Sequence, residues 1–114
     1  MATRHETEGL TPLTPPVFHI LLALADGKLH GYAIMQAVDA AAGPTLYMGP
    51  GTIYGCLQRM EEAGLVKESG SARAGRRRLY ALTPLGRKAL EAESARLSRL
   101  ADMARSKGLI PREA

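Results

Sequence analysis

A single cysteine, Cys56, excludes an intramolecular disulfide and a cysteine-based zinc cluster, and makes a reducing compartment the default setting. Tryptophan is missing and phenylalanine occurs once, so the core must be built mainly from aliphatic side chains. No apolar run is long enough to cross a bilayer: the longest, Val17 to Ala25, is interrupted by His19. The first residues are polar and acidic and lack the pattern of a secretory leader. Enzyme signatures are missing too, since no phosphate-binding glycine loop and no Ser/His/Asp order in a suitable context occurs. Glu61 and Glu62 are adjacent, but successive helical positions diverge by about 100° and do not make a catalytic dyad. Basic charge is scarce in the first half, where Arg4 and Lys28 stand against Glu6, Glu8, Asp26 and Asp39. The other basic residues all follow Gln58, and the chain as a whole carries +4, which suits a polyanion better than a small neutral substrate. The expectation is a single-domain cytoplasmic protein of 114 residues that is not an enzyme, needs no cofactor or metal and has no membrane partner.

What is present centres on residues 48–64. Ile53, Leu57 and Met60 recur at helical spacing with Cys56 beside them, which predicts a helix with one core-facing stripe and Cys56 as a small buried hydrophobe, the competing reading being a redox sensor. The opposite stripe carries Gly51, Tyr54, Gly55 and Gln58 in place of the usual Lys, Glu and Ala of a solvated face. A glycine inside a helix costs about 1 kcal/mol relative to alanine. Gly55 therefore implies close approach of another backbone, either DNA or a crossing helix of the same domain.

Upstream, residues 1–12 show no period and read as a flexible tail. Thr14-Pro15 has the form of an N-cap and first-turn proline, opening a helix through Val17–Ala25 that stops at Asp26-Gly27. His19 is placed at the edge of the core, since no second ligand lies at metal spacing. Residues 28–31 read as a tight connection into a second helix from Tyr32 to Ala42, ended by Gly43-Pro44. The hydroxyl of Tyr32 can reach a phosphate, or its ring can pack on the first helix. Thr45–Met48 alternates weakly and is expected to be a short strand. Downstream, Leu65–Ser69 and Arg76–Thr83 read as strands around a glycine-bounded turn, a β-hairpin whose arginines lie close together.

A helix followed by a basic hairpin is a winged helix, and here the resemblance is specific. Gly49-Pro-Gly-Thr-Ile-Tyr54, with Leu57, Arg59, Met60, Glu61, Gly64 and Leu65, then Gly75-Arg-Arg-Arg78, Tyr80, Leu82, Thr83 and Gly86, resembles the PadR family of bacterial transcriptional regulators. His30-Gly-Tyr32 matches that family's lead-in to the helix before. The similarity spans about Leu13 to Leu90. It departs where relatives commonly carry two tyrosines and a basic residue, for here stand Leu79, Tyr80 and Ala81, and Gly55-Cys56 replaces a longer polar residue. The resemblance implies a mostly α protein with a small β-hairpin (α+β): a winged helix-turn-helix over 13–83, a C-terminal dimerisation helix over 84–108, and a tail over 109–114.

On that reading the recognition helix (about 50–63) enters the major groove. Tyr54 and Gln58 are the base readers, because Gln can pair bidentately with adenine and a tyrosine ring can meet a thymine methyl. Thr52, Gly51 and Gly55 sit close to the backbone, and Arg59 fixes a phosphate or pairs with Glu62 at i+3. Arg73, Arg76 and Arg77 of the wing (70–78) supply sequence-independent attraction, with minor-groove insertion open to Arg73 or Arg76.

Thr83-Pro84 starts a last helix reaching about Ser106, in which Leu90, Leu97 and Ala104 repeat by sevens, Leu100 fills a d-like position and Glu93 interrupts the seam. So long a helix predicts a homodimer on a palindromic operator in double-stranded DNA. A small hydrophobic or aromatic effector is expected of such a regulator at a site the sequence leaves open. A Phe18, Met35 and Met103 pocket would suit it, but stacking on the last helix is excluded because no aromatic follows Leu85. The competing reading is a winged-helix protein-interaction module that does not bind DNA.

Overall fold

The computed structural model describes residues 12–71 and 78–111. Helix α1 runs Pro15–Ala23, with extended Thr14 as N-cap and prolines in its first turn, where a missing N–H costs nothing. It buries Ile20 and Leu21 and ends before the expected Ala25, as Leu24 turns its N–H back onto the carbonyls of Ile20 and Leu21. Strand β1 is Leu29–His30, in the segment expected to be a plain connection. Thr45–Met48, expected as a strand, is not one. Gly43 takes φ 60°, Gly43–Thr45 form a 3₁₀ turn, and the Thr45 hydroxyl donates to the Ala42 carbonyl at 2.7 Å, which draws the chain away from any sheet edge. Met48 is instead buried as an anchor.

Helix α2 spans Gly31–Ala42, and His30 caps it by accepting from the Ala33 N–H through Nδ1 at 3.2 Å. Helix α3 spans Pro50–Glu62 and buries Ile53, Cys56, Leu57 and Met60, the predicted stripe. Strands β2 (Val66–Ser71) and β3 (Arg78–Leu82) follow, and the antiparallel sheet has the order β1-β3-β2. Leu29 faces Tyr80 and Glu68 faces Tyr80 from the other side, with a register irregularity between Glu68 and Ser71. Tyr80, on the central strand, is buried.

Helix α4 spans Pro84–Ser106, capped by the Thr83 hydroxyl, which accepts from the Gly86 N–H at 3.0 Å. The same hydroxyl donates to the Gly64 carbonyl at 2.5 Å, and the Thr83 N–H donates to Leu65 O at 3.1 Å. The start of α4 is thereby tied to the turn just beyond α3. Ala89 and Leu90 join the core made by α1, α2 and α3, so the core does not stop at residue 83. No helix among the described residues is long and apolar enough to cross a membrane.

Glu93 is 2% exposed, and its position differs from the seam expected of it. Arg96 grips its carboxylate with two nitrogens, at 2.9 and 2.8 Å, and the Leu13 N–H donates to it at 3.2 Å. The Arg96 hydrogen bonds, helped by that backbone donor and opposed by burial, hold the Glu93 carboxyl below its ordinary range. The residue that breaks the heptad pattern is a clamp joining the approach to α1 with the middle of α4.

Candidate nucleic-acid interface

With one stripe of α3 in the core, the other is set by geometry to face outward. Gly51, Thr52, Tyr54, Gln58 and Arg59 are exposed and Gly55 is half-buried. Gly49 is the N-cap, and no side chain caps the helix, so the first-turn N–H groups are left for an external acceptor. A methyl at Gly55 would meet only an Arg59 nitrogen, at 3.6 Å, and one at Gly51 would meet nothing. The crossing-helix explanation for Gly55 therefore fails, since among the described residues no backbone of another element comes within 4 Å of where its Cβ would stand.

Tyr54 is 50% exposed, and its ring lies on Gly31: a methyl there would come within 2.5 Å of the hydroxyl and 2.6 Å of ring carbons. The hydroxyl end of the Tyr54 ring fills the space a side chain at Gly31 would take, and this contact sets α3 against the start of α2. The ring's remaining half, and Gln58 one turn on, stay open. Tyr32, second residue of α2, is also exposed, so its ring is not absorbed by α1.

Arg59 turns back along its own helix, donating from Nη2 to Cys56 Sγ at 3.3 Å rather than reaching Glu62. Cys56 is buried, as expected. Arg73, Arg76 and Arg77 lie outside the described residues. Arg78 is held by the Tyr80 side chain and by Glu68, at 3.4 Å, which together raise its pKa further. Glu68 therefore competes with any phosphate for Arg78.

Tyr47 is the exposed residue that sequence reasoning missed. It is 78% exposed, and its ring edge and hydroxyl run alongside Gly49, the residue that opens α3. Its signal was the position immediately before Met48-Gly49-Pro50, hidden by reading the segment as a strand.

The outer part of α4 is a second exposed surface. Burial stops at Glu93, beyond which Leu97, Leu100 (47%) and Met103 (56%) are exposed and Ala104 is half-buried. Leu90, expected on the partner-facing stripe, is buried in the chain's own core. Phe18 and Met35 also pack against that core, whereas Met103 is open on outer α4. Among the described residues no three His, Cys, Asp or Glu side chains converge as metal ligands.

Comparison with known proteins places these features in a family. Residues 20–92 match the model of the Transcriptional regulator PadR-like family. The chain is 47% identical over 81 residues to an uncharacterized 37.1 kDa protein in transposon TN4556 of Streptomyces fradiae, covering 71% of this chain but only 22% of that protein. It is 37% identical over 84 residues to transcriptional regulator Rv3488 of Mycobacterium tuberculosis, covering 73% of this chain and 76% of that one. A PadR family transcription regulator from Clostridium difficile superposes with a TM-score of 0.68 at 26% identity, over 82% of this chain and 97% of the other. Bacillus subtilis PadR in complex with operator DNA superposes with a TM-score of 0.62 at 23% identity, over 71% of this chain and 46% of that one.

Proposed function

Because this chain belongs to the PadR-like family of transcriptional regulators, which are not enzymes, we propose that it is a dimeric cytoplasmic repressor that reads a palindromic operator with α3 and releases it on binding a small molecule. The observation that carries the DNA reading is the outward stripe of α3: small and polar residues around an N-terminus that no side chain caps, with the apolar stripe fully in the core. The structural likeness to a regulator crystallised with operator DNA supports the same reading. Gln58 and the open half of Tyr54 read base edges in the major groove, while Gly51, Thr52, Gly55, Tyr32 and Arg59 lie against the sugar-phosphate backbone. Arg59 must leave Cys56 to do so, a modest cost because a thiol is a weak acceptor.

Footprinting on the neighbouring intergenic DNA is expected to show two protected half-sites about one helical turn apart. Absence of any gel shift at low salt would favour the protein-interaction module instead. Gln58→Ala and Tyr54→Ala are each expected to lose about 1 to 3 kcal/mol on the operator and less on random DNA. Equal losses on both would remove these residues from base reading. For the wing, Arg76→Ala with Arg77→Ala should weaken binding to every sequence and flatten the log-log salt dependence by about 0.9 per lost phosphate contact. An unchanged slope would take these arginines off the phosphates.

The dimer rests on outer α4. A helix of 23 residues is about 34 Å long, and its second half leaves Leu97 and Leu100 in water unless a partner covers them. Leu97→Asp with Leu100→Asp is expected to give a monomer by sedimentation that keeps its circular dichroism, since neither residue contributes to the core. A dimer that persists would move the interface elsewhere.

A further inference from the structure

An open cleft of about 570 Å³ lies between the loop after α1 (24–28) and the junction of β3 with α4 (81–87), on neither the α3 stripe nor outer α4. Its volume is in the range of small-molecule sites. The walls are aliphatic, from Ala25, Ala81, Leu82 and Pro84, with no aromatic ring in the lining on which a planar ligand could stack. The lining holds two cations, Lys28 and Arg87, and one acid, Asp26. Arg87 is held by donating from Nη2 to the Ala25 carbonyl at 2.8 Å, which spans the cleft; among the described residues its other N–H groups have no partner. Among the described residues, no carboxylate pairs with Lys28 or Arg87. An apolar trough with an excess of unpaired positive charge is complementary to a molecule with an aliphatic body and one carboxylate.

The cleft is also wired to the DNA-facing helices. Thr83, in its wall, bonds through side chain and backbone to Gly64 and Leu65, just beyond the C-cap of α3. Lys28, opposite, precedes β1, whose His30 caps α2. A ligand that changes the spacing of the two walls acts on the ends of both helices. We propose that this cleft binds a small aliphatic carboxylate and that its occupancy changes DNA affinity. The second half rests on the operator reading above.

The test is a ¹⁵N NMR titration of the full chain with octanoate, beside octanol and octylamine. Saturable shifts centred on 24–28 and 81–87 are expected, with octanol about tenfold weaker, the share of one charge-assisted contact. Lys28→Glu, at an exposed position, should weaken octanoate about tenfold. Ala81→Leu, which fills the trough without altering charge, should abolish binding while the remaining spectrum is kept. No saturable shifts, shifts centred on Leu97 to Met103, or equal binding of octanol would overturn the site. Should Ala81→Leu fail to fold, Lys28→Glu decides the matter. Operator affinity is then measured with and without saturating octanoate, where a change of threefold or more is expected. Unchanged affinity would overturn the coupling; no DNA binding either with or without octanoate would overturn the operator reading and leave the titration to judge the cleft.

Discussion

Replacing Gly86 by alanine is expected to destabilise the protein by about 3 kcal/mol or more, in line with the upper range for forcing extra atoms into a packed site. The added Cβ would overlap the Leu65 carbonyl oxygen and sit 2.9 Å from its carbon, distances that real side chains do not adopt. The obstacle is backbone, which cannot step aside as a flexible side chain can. Moving it would strain Thr83, whose N–H bonds that same oxygen and whose hydroxyl bonds Gly64. The expected loss therefore includes the docking of α4 on the end of α3, which no local repair can restore. Gly51→Ala is the matched control. Its Cβ would meet nothing, and alanine is the better helix former by up to about 1 kcal/mol, so thermal unfolding should be unchanged or raised. A Gly86→Ala protein as stable as wild type would mean that α4 does not cross the α3–β2 turn this closely.

Glu93→Ala carries the second large effect, a loss of about 2 to 3 kcal/mol in urea unfolding at neutral pH. The variant leaves the Leu13 N–H without its acceptor, releases Arg96 and opens space where a buried side chain stood. Glu93→Leu fills that space with apolar atoms and should recover part of the loss, as such replacements of buried ion pairs commonly do. A loss under about 0.5 kcal/mol for Glu93→Ala would assign the clamp no role in stability.

The pH dependence follows from the direction of the same shift. A carboxyl whose folded pKa lies below its unfolded value contributes stability that is complete above the unfolded value, about 4.3 for glutamate, and lost as pH falls through the folded one. Wild type should therefore lose stability on acidification below about pH 4.3, and Glu93→Leu should show a flatter profile there. Parallel profiles would move the titrating group elsewhere.

The helices were legible because their signals are local. The prolines after Thr14, Gly49 and Thr83 mark three of the four starts, and the spacing of Ile53, Leu57 and Met60 announces the buried side of α3. The outward stripe of α3 was legible for the complementary reason: once one side of a helix is apolar, period 3.6 assigns the rest. Strand β1 was not legible, since two residues carry no period and Leu29 and His30 become a strand only because Leu79 and Tyr80 lie beside them. Glu93 misled in the same way, because a heptad count sees a polar residue at a seam and cannot see Leu13 and Arg96 closing on it.

Local chemistry in the chain was thus enough to settle the order of the four helices and the hairpin, the side of α3 that meets the core, and the family to which the protein belongs. Its tertiary structure alone decided that Gly31 makes room for Tyr54, that Gly86 makes room for Leu65, that Leu90 serves the chain's own core, and that a cleft opens behind Thr83. The division has one physical cause. Periodicity and capping act within a few residues along the chain, whereas close contacts and clefts are made by segments far apart in sequence, whose meeting only the packed fold determines.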